Sequence, residues 1–293
     1  MMNVLSDVNP IAAFLWLMMT AGIAMFCLNP VILLLSVAGG MFYFFIRNPE
    51  SGLKAQLPYL LLFLASAILN PVFSHNGATV LFVVNHNPIT LEAFYYGLVL
   101  GGMILSVLYW FRSFQQVMTS DKLLYVFGSA LPKLTLILSI ALRYIPLLKK
   151  QTKRIRDAQK ALGLFKDENV IDRLRGEMRI FSVLVTWALE NGIITADSMT
   201  ARGYGIGKRT RFALFHFELR DALMCAACLA LGGLTVAAIV NGSLTCRFYP
   251  YFTLPRPDSL GWSAYFAYAL LAFFPGLLEV EENIRWKSLK SKI

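Results

Sequence analysis

Between Asn70 and Phe111 the chain has neither a lysine nor an arginine, and the second half of that stretch, Leu91 to Phe111, carries Glu92 as its sole charge. A helix rises about 1.5 Å per residue and a bilayer's hydrocarbon core is about 30 Å thick, so a run of this length matches one membrane crossing. Comparable runs recur at Ile11–Leu28, Val31–Ile46, Leu57–Phe73, Leu219–Val240 and Trp262–Leu278. A porin-like barrel would instead alternate apolar and polar residues over segments of about ten. The composition agrees: 57% of residues are hydrophobic and 15% charged, where soluble domains have about 45–50% and about 25%. Most soluble enzymes are excluded by that balance. Disorder is excluded by the 22 Phe, 12 Tyr and 5 Trp, far more burial than a solvated chain carries. The expected fold is all-α, a polytopic helical membrane protein of about six transmembrane helices with long cytoplasmic helices.

The net charge of +10 is unevenly spread. Lys149 to Arg211 holds fourteen of the 27 basic residues and seven of the 17 acidic ones, so one segment accounts for +7 of the total. Elsewhere, cations sit at the ends of apolar runs, as loops on the positive side of a bilayer do. Membrane lipid is therefore an expected partner, and nucleic acid is not, because no finger, RNA-binding signature or basic tail accompanies the charge. The positive-inside rule puts the segment from Asn70 to Phe111 outside and Lys149–Arg211 inside. Met1 to Pro10 lacks the basic region of a cleaved signal peptide. The tail, Glu279 to Ile293, carries Arg285, Lys287, Lys290 and Lys292, which places both termini in the cytoplasm of a multi-pass cell-membrane protein. Three regions follow: N-terminal transmembrane helices over 1–113, cytoplasmic helices over 114–211, and C-terminal transmembrane helices with the tail over 212–293.

Local signals refine this picture. Asn29-Pro30 separates the first two runs as a hairpin, and Gly97, Gly101 and Gly102 permit close helix approach. Ala78 to Val84 followed by Asn85-His86-Asn87 predicts a small outer β-hairpin. Lys122, Lys133 and Arg143 interrupt every apolar run between Phe114 and Leu148, so that region is expected to be partly buried in protein or to lie along the interface. Beyond it, Leu148, Thr152, Ile155, Leu162 and Phe165 form one helical stripe, with Lys149, Lys150, Lys153, Arg154, Arg156 and Lys160 around the rest. In a second helix Ile171, Leu174, Met178, Phe181, Val185 and Ala188 keep a three-four alternation. The two seams are expected to face each other, making a platform that a soluble protein could grip.

Catalytic chemistry finds little support. The four cysteines suggest no metal site or disulfide framework: Cys225 and Cys228 fall inside an apolar run, and Cys27 and Cys246 stand alone. His75, His86 and His216 are scattered. Paired Asp-rich motifs, H-E-x-x-H and a mid-span carboxylate are all missing. Gly203-Tyr204-Gly205-Ile206-Gly207-Lys208-Arg209-Thr210 only imitates a phosphate loop, since Arg209 stands where Ser or Thr must hold magnesium and Arg202 where glycine is required. No catalytic residue, metal or cofactor is expected, and the chain is not expected to hydrolyse ATP itself. The same segment reads as a helix end, Ala201 and Arg202 in the last turn and Gly203 as the stop. Arg202 either forks onto carboxylates of a docking protein or complements the helix dipole and lipid phosphates.

Ala141-Leu142-Arg143-Tyr144-Ile145-Pro146-Leu147-Leu148, then Ile155, Ala158-Gln159 and Gly163, and finally Met199-Thr200-Ala201-Arg202-Gly203-Tyr204 resemble the T component of energy-coupling factor importers, the CbiQ/EcfT family. Ile89-Thr90-Leu91-Glu92 looks like the start of that family's central span. The resemblance covers roughly Asn70 to the C-terminus. It implies two coupling helices that end in Ala-Arg-Gly-like motifs docking into two ABC ATPase subunits, and a separate S component that captures a vitamin or transition-metal ion. The second motif matches at Ala201, Arg202 and Gly203. The first departs: Ala161-Leu162-Gly163 has leucine where the family has arginine, and Lys160, Arg156 or an apolar contact would take over there. Leu174, Met178, Phe181 and Val185 are the residues expected to pack the coupling helices. The rival reading is a self-contained secondary carrier, against which the two halves show no internal repeat.

Overall fold

A computed structural model describes residues 8–48, 56–74, 77–84, 87–128, 131–163, 170–207, 215–253, 255 and 257–290. These form helices α1 (Pro10–Phe26), α2 (Pro30–Arg47), α3 (Leu57–Phe73), α4 (Leu91–Val117), α5 (Ser120–Gly128), α6 (Pro132–Ala161), α7 (Val170–Ala201), α8 (Leu219–Val240) and α9 (Ser259–Lys290), with strands β1 (Val80–Val84) and β2 (Asn87–Thr90). The chain divides into two compact units, Met1–Val126 with Phe215–Ile293, and Phe127–Leu214. Among the described residues five helices are long and apolar enough to cross a membrane: α2, α4, α7, α8 and α9 up to Trp286. α1 and α3 are apolar but one residue shorter than α2. The protein is an all-α polytopic membrane protein.

In the first unit α4 packs against α1, α2 and α3, while α2 packs on α9, α9 on α8 and α8 on α1, closing a ring of five helices with α3 outside it. Local chemistry starts these helices. Asn9 and Asn29 each precede a proline at the first helical position, and their side-chain carbonyls accept the N–H of Ile11 in one case and of Val31 and Ile32 in the other. The Asn29-Pro30 hairpin is thus present, and the Asn29 amide also donates to the Leu244 carbonyl at 3.0 Å and the Tyr265 hydroxyl at 2.8 Å. Two of the three glycines singled out in α4 are in contact with α3. A methyl on Gly97 would meet the Ala67 carbonyl and Asn70, one on Gly101 would meet Ser66 and Phe63, whereas Gly102 faces open space.

Polar groups inside the ring are paired, as a low-dielectric interior requires. The Trp16 indole donates to the Leu271 carbonyl at 2.9 Å, and the Trp110 indole to the Ser36 hydroxyl at 2.9 Å, which itself bonds Ser106. At the end of α2 the Arg47 guanidinium donates to the Tyr43 hydroxyl and to the Gln116 carbonyl and lies 3.6 Å from Glu279, with side-chain exposures of 10% and 5% for the ion pair. Glu279 therefore belongs to the bundle, and α9 runs on through Trp286 to Lys290, so the expected tail is a continuation of the last helix. Of the three charges that interrupt the apolar runs between Phe114 and Leu148, Lys122 is buried with its ammonium on the Val117 carbonyl, whereas Lys133 and Arg143 are exposed.

Outside the ring β1 and β2 pair antiparallel, as the β-favouring run to Val84 and the turn signal after it predict. The turn residues Asn85 and His86 lie outside the described residues, as do His75, Phe165, Lys208, Arg209, Thr210 and Arg211. Glu92 anchors the hairpin by accepting from the backbone N–H and the hydroxyl of Thr79. In the loop before α9, burial pushes the Cys246 thiol up to about 11, which keeps it protonated and unreactive.

Candidate functional site

The second unit is built on α6 and α7, which pack on one another. Their direction is set by side chains. Near one end the Tyr144 hydroxyl donates to the Asn191 carbonyl at 3.2 Å and lies 3.0 Å from the Thr195 hydroxyl. Near the other the Arg156 Nη2 donates to both oxygens of Glu177 at 2.8 and 2.9 Å. The pairs run in opposite senses along the chain, so the helices are antiparallel. The Arg156–Glu177 pair is about 40% exposed on each side, and such a pair contributes about 0–1 kcal/mol. It sets register more than stability.

The packed face of α7 differs from the expected one. Ile180 is 2% exposed and Gly176 is buried, with Leu184, Trp187, Asn191 and Thr195 half-buried along the same ridge. Leu174, Met178, Phe181 and Val185 are exposed, Phe181 at 60%. At about 100° per residue these two stripes lie about 120° apart around the helix. The expectation that Leu174, Met178, Phe181 and Val185 pack against the first coupling helix is therefore corrected. α7 has apolar residues on both stripes, and the one that packs carries the small Gly176 and the polar groups that Tyr144 and Arg156 engage. On α6, Leu148, Thr152 and Ile155 lie half-buried, and the stripe continues to the buried Gln159. Leu162, the cap residue that follows α6, is not packed with that stripe and is 73% exposed.

The two three-residue motifs stand at the two helix ends. After α6, the Leu162 N–H donates to the Ala158 carbonyl at 3.1 Å and the Gly163 N–H to Lys160 at 3.0 Å, with Gly163 at φ +67°. After α7, the Arg202 N–H donates to Ser198 at 3.3 Å, the Gly203 N–H to Thr200 at 2.9 Å and the Tyr204 N–H to Met199 at 3.0 Å, with Gly203 at φ +81°. Both glycines are needed for the left-handed turn that closes a helix. Neither is needed for space, since a methyl would meet nothing within 4 Å at Gly163 and only Ile206 at 3.6 Å at Gly203. The residue between alanine and glycine is exposed in both motifs. Because the helices are antiparallel, Ala161-Leu162-Gly163 and Ala201-Arg202-Gly203 are not brought together but held at opposite ends of the pair.

Several organising residues are not evident from sequence patterns. Tyr144 is polar within an apolar stretch, which is a signal of a partner. Asp221 accepts the Asn9 N–H at 3.1 Å and the Glu218 N–H at 3.0 Å, and only its first-turn position in α8 hints at this. Among the described residues no group of three or more His, Cys, Asp or Glu is placed to hold a metal ion.

Comparison with known proteins agrees with the architecture. The chain is 37% identical over 113 residues to the energy-coupling factor transporter transmembrane protein EcfT of Streptococcus thermophilus, covering 38% of this chain and 43% of that protein. It is 35% identical over 106 residues to EcfT 1 of Listeria monocytogenes, covering 35% and 40%, and 38% identical over 104 residues to EcfT of Listeria innocua, covering 35% and 39%. The aligned stretches thus span about two fifths of these relatives. The family described as cobalt transport protein, CbiQ, matches residues 1–212. With nearly three quarters of its length inside that match, the chain belongs to the CbiQ family of membrane transport proteins.

Proposed function

We propose that this chain is the membrane coupling subunit of an ATP-driven importer of the energy-coupling factor type. The observation that carries the reading is the antiparallel α6–α7 pair, whose two helix ends close on the same glycine turn and hold out one exposed side chain each, Leu162 and Arg202. Regions 1–113 and 212–293 are the membrane parts, and 114–211 is the coupling part, which lies in the cytoplasm with both termini. Two ABC ATPase subunits grip the helix ends, and an S component delivers a vitamin or transition-metal ion. The charge excess of Lys149–Arg211 supports the cytoplasmic side, and the similarity to EcfT proteins supports the subunit type. This chain does no covalent chemistry. It passes the difference between open and closed ATPases to the substrate-binding partner, because an equilibrium across a bilayer shifts only if some ligand interacts differently with its two states.

The test is Arg202→Ala and Arg202→Lys in the assembled complex. Loss of a bidentate guanidinium at a buried contact costs about 2–5 kcal/mol, so alanine should release an ATPase in pull-down and abolish ATP-dependent uptake into vesicles. Lysine should rescue only in part, because it restores the charge without the planar fork. Unchanged ATPase recovery and uptake with alanine would return Arg202 to the role of a helix-end cation.

A further inference from the structure

Strand β1 carries apolar residues on both of its faces, and both are left open. Val80, Leu81, Phe82 and Val83 are exposed by 53% to 62%, and the consecutive Phe82 and Val83, paired with Ile89 and Pro88, point to opposite sides of the hairpin. A hairpin with one face in water alternates apolar and polar residues, and its open edge commonly carries charge. This one does neither, for there is no Asp, Glu, Lys or Arg from Asn70 to Leu91. Two strands alone are also marginal in water. The base of the hairpin is fixed to the start of α4. The carboxylate of Glu92, a residue 3% exposed, accepts from the Thr79 N–H and hydroxyl, the Leu91 N–H donates to the Thr79 carbonyl at 3.0 Å, and a methyl on Gly77 would press on Glu92 and Thr90. The Ala78 N–H donates to the Pro250 carbonyl at 3.2 Å, which ties in the loop that carries Phe248 and Phe252.

The depth of that base in a bilayer follows from the length of α4. Arg112 is the first cation after Leu91, and at about 1.5 Å per residue it stands about 30 Å along the helix from Glu92, the thickness of the hydrocarbon core. With Arg112 in one headgroup layer, Glu92 and the base of the hairpin reach the other. Aromatic rings gather at the same level, as they do at membrane interfaces: Tyr95 stacks on Phe252 with centroids 5.3 Å apart, and Tyr96 meets Phe248 edge-on at 5.2 Å. We propose that the β1–β2 hairpin is a lipid-binding element that lies in the headgroup layer on the side away from Arg112, with phospholipid against both faces of β1. The hydrocarbon core does not suit it, because an open strand edge finds no hydrogen-bond partner there. A strand added by another polypeptide would pair with that edge and still leave both apolar faces uncovered. The proposal stands independently of the coupling role.

The experiment uses the full chain with its four cysteines replaced and a single Phe82→Cys, Val83→Cys or Leu64→Cys carrying a nitrobenzoxadiazole dye, in phosphatidylcholine–phosphatidylglycerol nanodiscs, where both membrane faces meet the buffer. Quenching is measured with iodide, with lipids that carry a nitroxide near the headgroup, and with lipids that carry it near the chain end. Leu64, 49% exposed near the middle of α3, serves as the hydrocarbon reference. Dyes at positions 82 and 83 are expected to be quenched at least about twofold more by the shallow nitroxide than by the deep one, and the reference in the opposite order. Iodide quenching without response to either nitroxide, at either hairpin position, puts that face in water and overturns the proposal. Stronger quenching by the deep nitroxide overturns it as well. So does a hairpin dye shielded from iodide and from both lipids, the result a protein cover would give.

Discussion

Alanine at Gly101 and at Gly102 should move the stability of the membrane unit in opposite directions. At Gly102 the new methyl meets nothing within 4 Å, so the remaining effect is helix propensity, which favours alanine by about 0.8–1 kcal/mol. At Gly101 the methyl would press on the Ser66 hydroxyl and stand 3.0 Å from the Phe63 ring and 3.1 Å from its carbonyl oxygen. The Ser66 hydroxyl donates to that carbonyl at 2.8 Å, and turning away gives up a bond worth about 1 kcal/mol. Forcing α3 off α4 adds about 1–3 kcal/mol of overpacking. Set against the same propensity gain, Gly101→Ala should destabilise by about 1–3 kcal/mol, which places the two neighbours about 2–4 kcal/mol apart. SDS titration of the purified chain in mixed micelles, followed by tryptophan fluorescence, reads this difference. Ser66→Ala should recover part of the loss in Gly101→Ala and none in Gly102→Ala. Equal destabilisation by both substitutions would refute the close approach of α3 and α4 at Gly101.

Glu279→Gln should destabilise the same unit by about 3 kcal/mol or more, because it strands the buried Arg47. Arg47→Met with Glu279→Leu should lie close to the parent in the same titration. Ile180→Asp should separate α6 from α7, seen as rapid proteolysis between Lys149 and Gly207, since a buried unpaired carboxylate costs several kcal/mol. Val185→Asp, on the outer stripe, should leave that proteolysis rate unchanged. For topology, Lys153→Cys in a cysteine-free chain should react with an impermeant maleimide in inside-out vesicles and stay unlabelled in right-side-out ones. Labelling from the outside would reverse the orientation.

Much of the architecture is written in short stretches of chain. An apolar run long enough for a bilayer is a local property, and so are Asn29-Pro30 as a helix start, the β-branched and aromatic run that makes β1, and the glycines that close α6 and α7. Each depends on residues within a few positions of one another. The CbiQ resemblance was legible for the same reason, being carried by contiguous motifs at the ends of helices.

The pairings were decided only in three dimensions. α7 offers two apolar stripes, and hydrophobicity does not say which one α6 takes. In a helix with several exposed apolar residues, apolar character no longer marks the interior, and the choice fell on the stripe with Gly176 and with partners for Tyr144 and Arg156. Tyr43 and Glu279 lie 236 residues apart, far beyond any sequence pattern, yet the packing of α2 on α9 sets Glu279 beside both Tyr43 and Arg47. The residue types were fixed by the chain; which of them face protein and which are left outward depended on how whole helices fit together, through close approach and the pairing of buried polar groups.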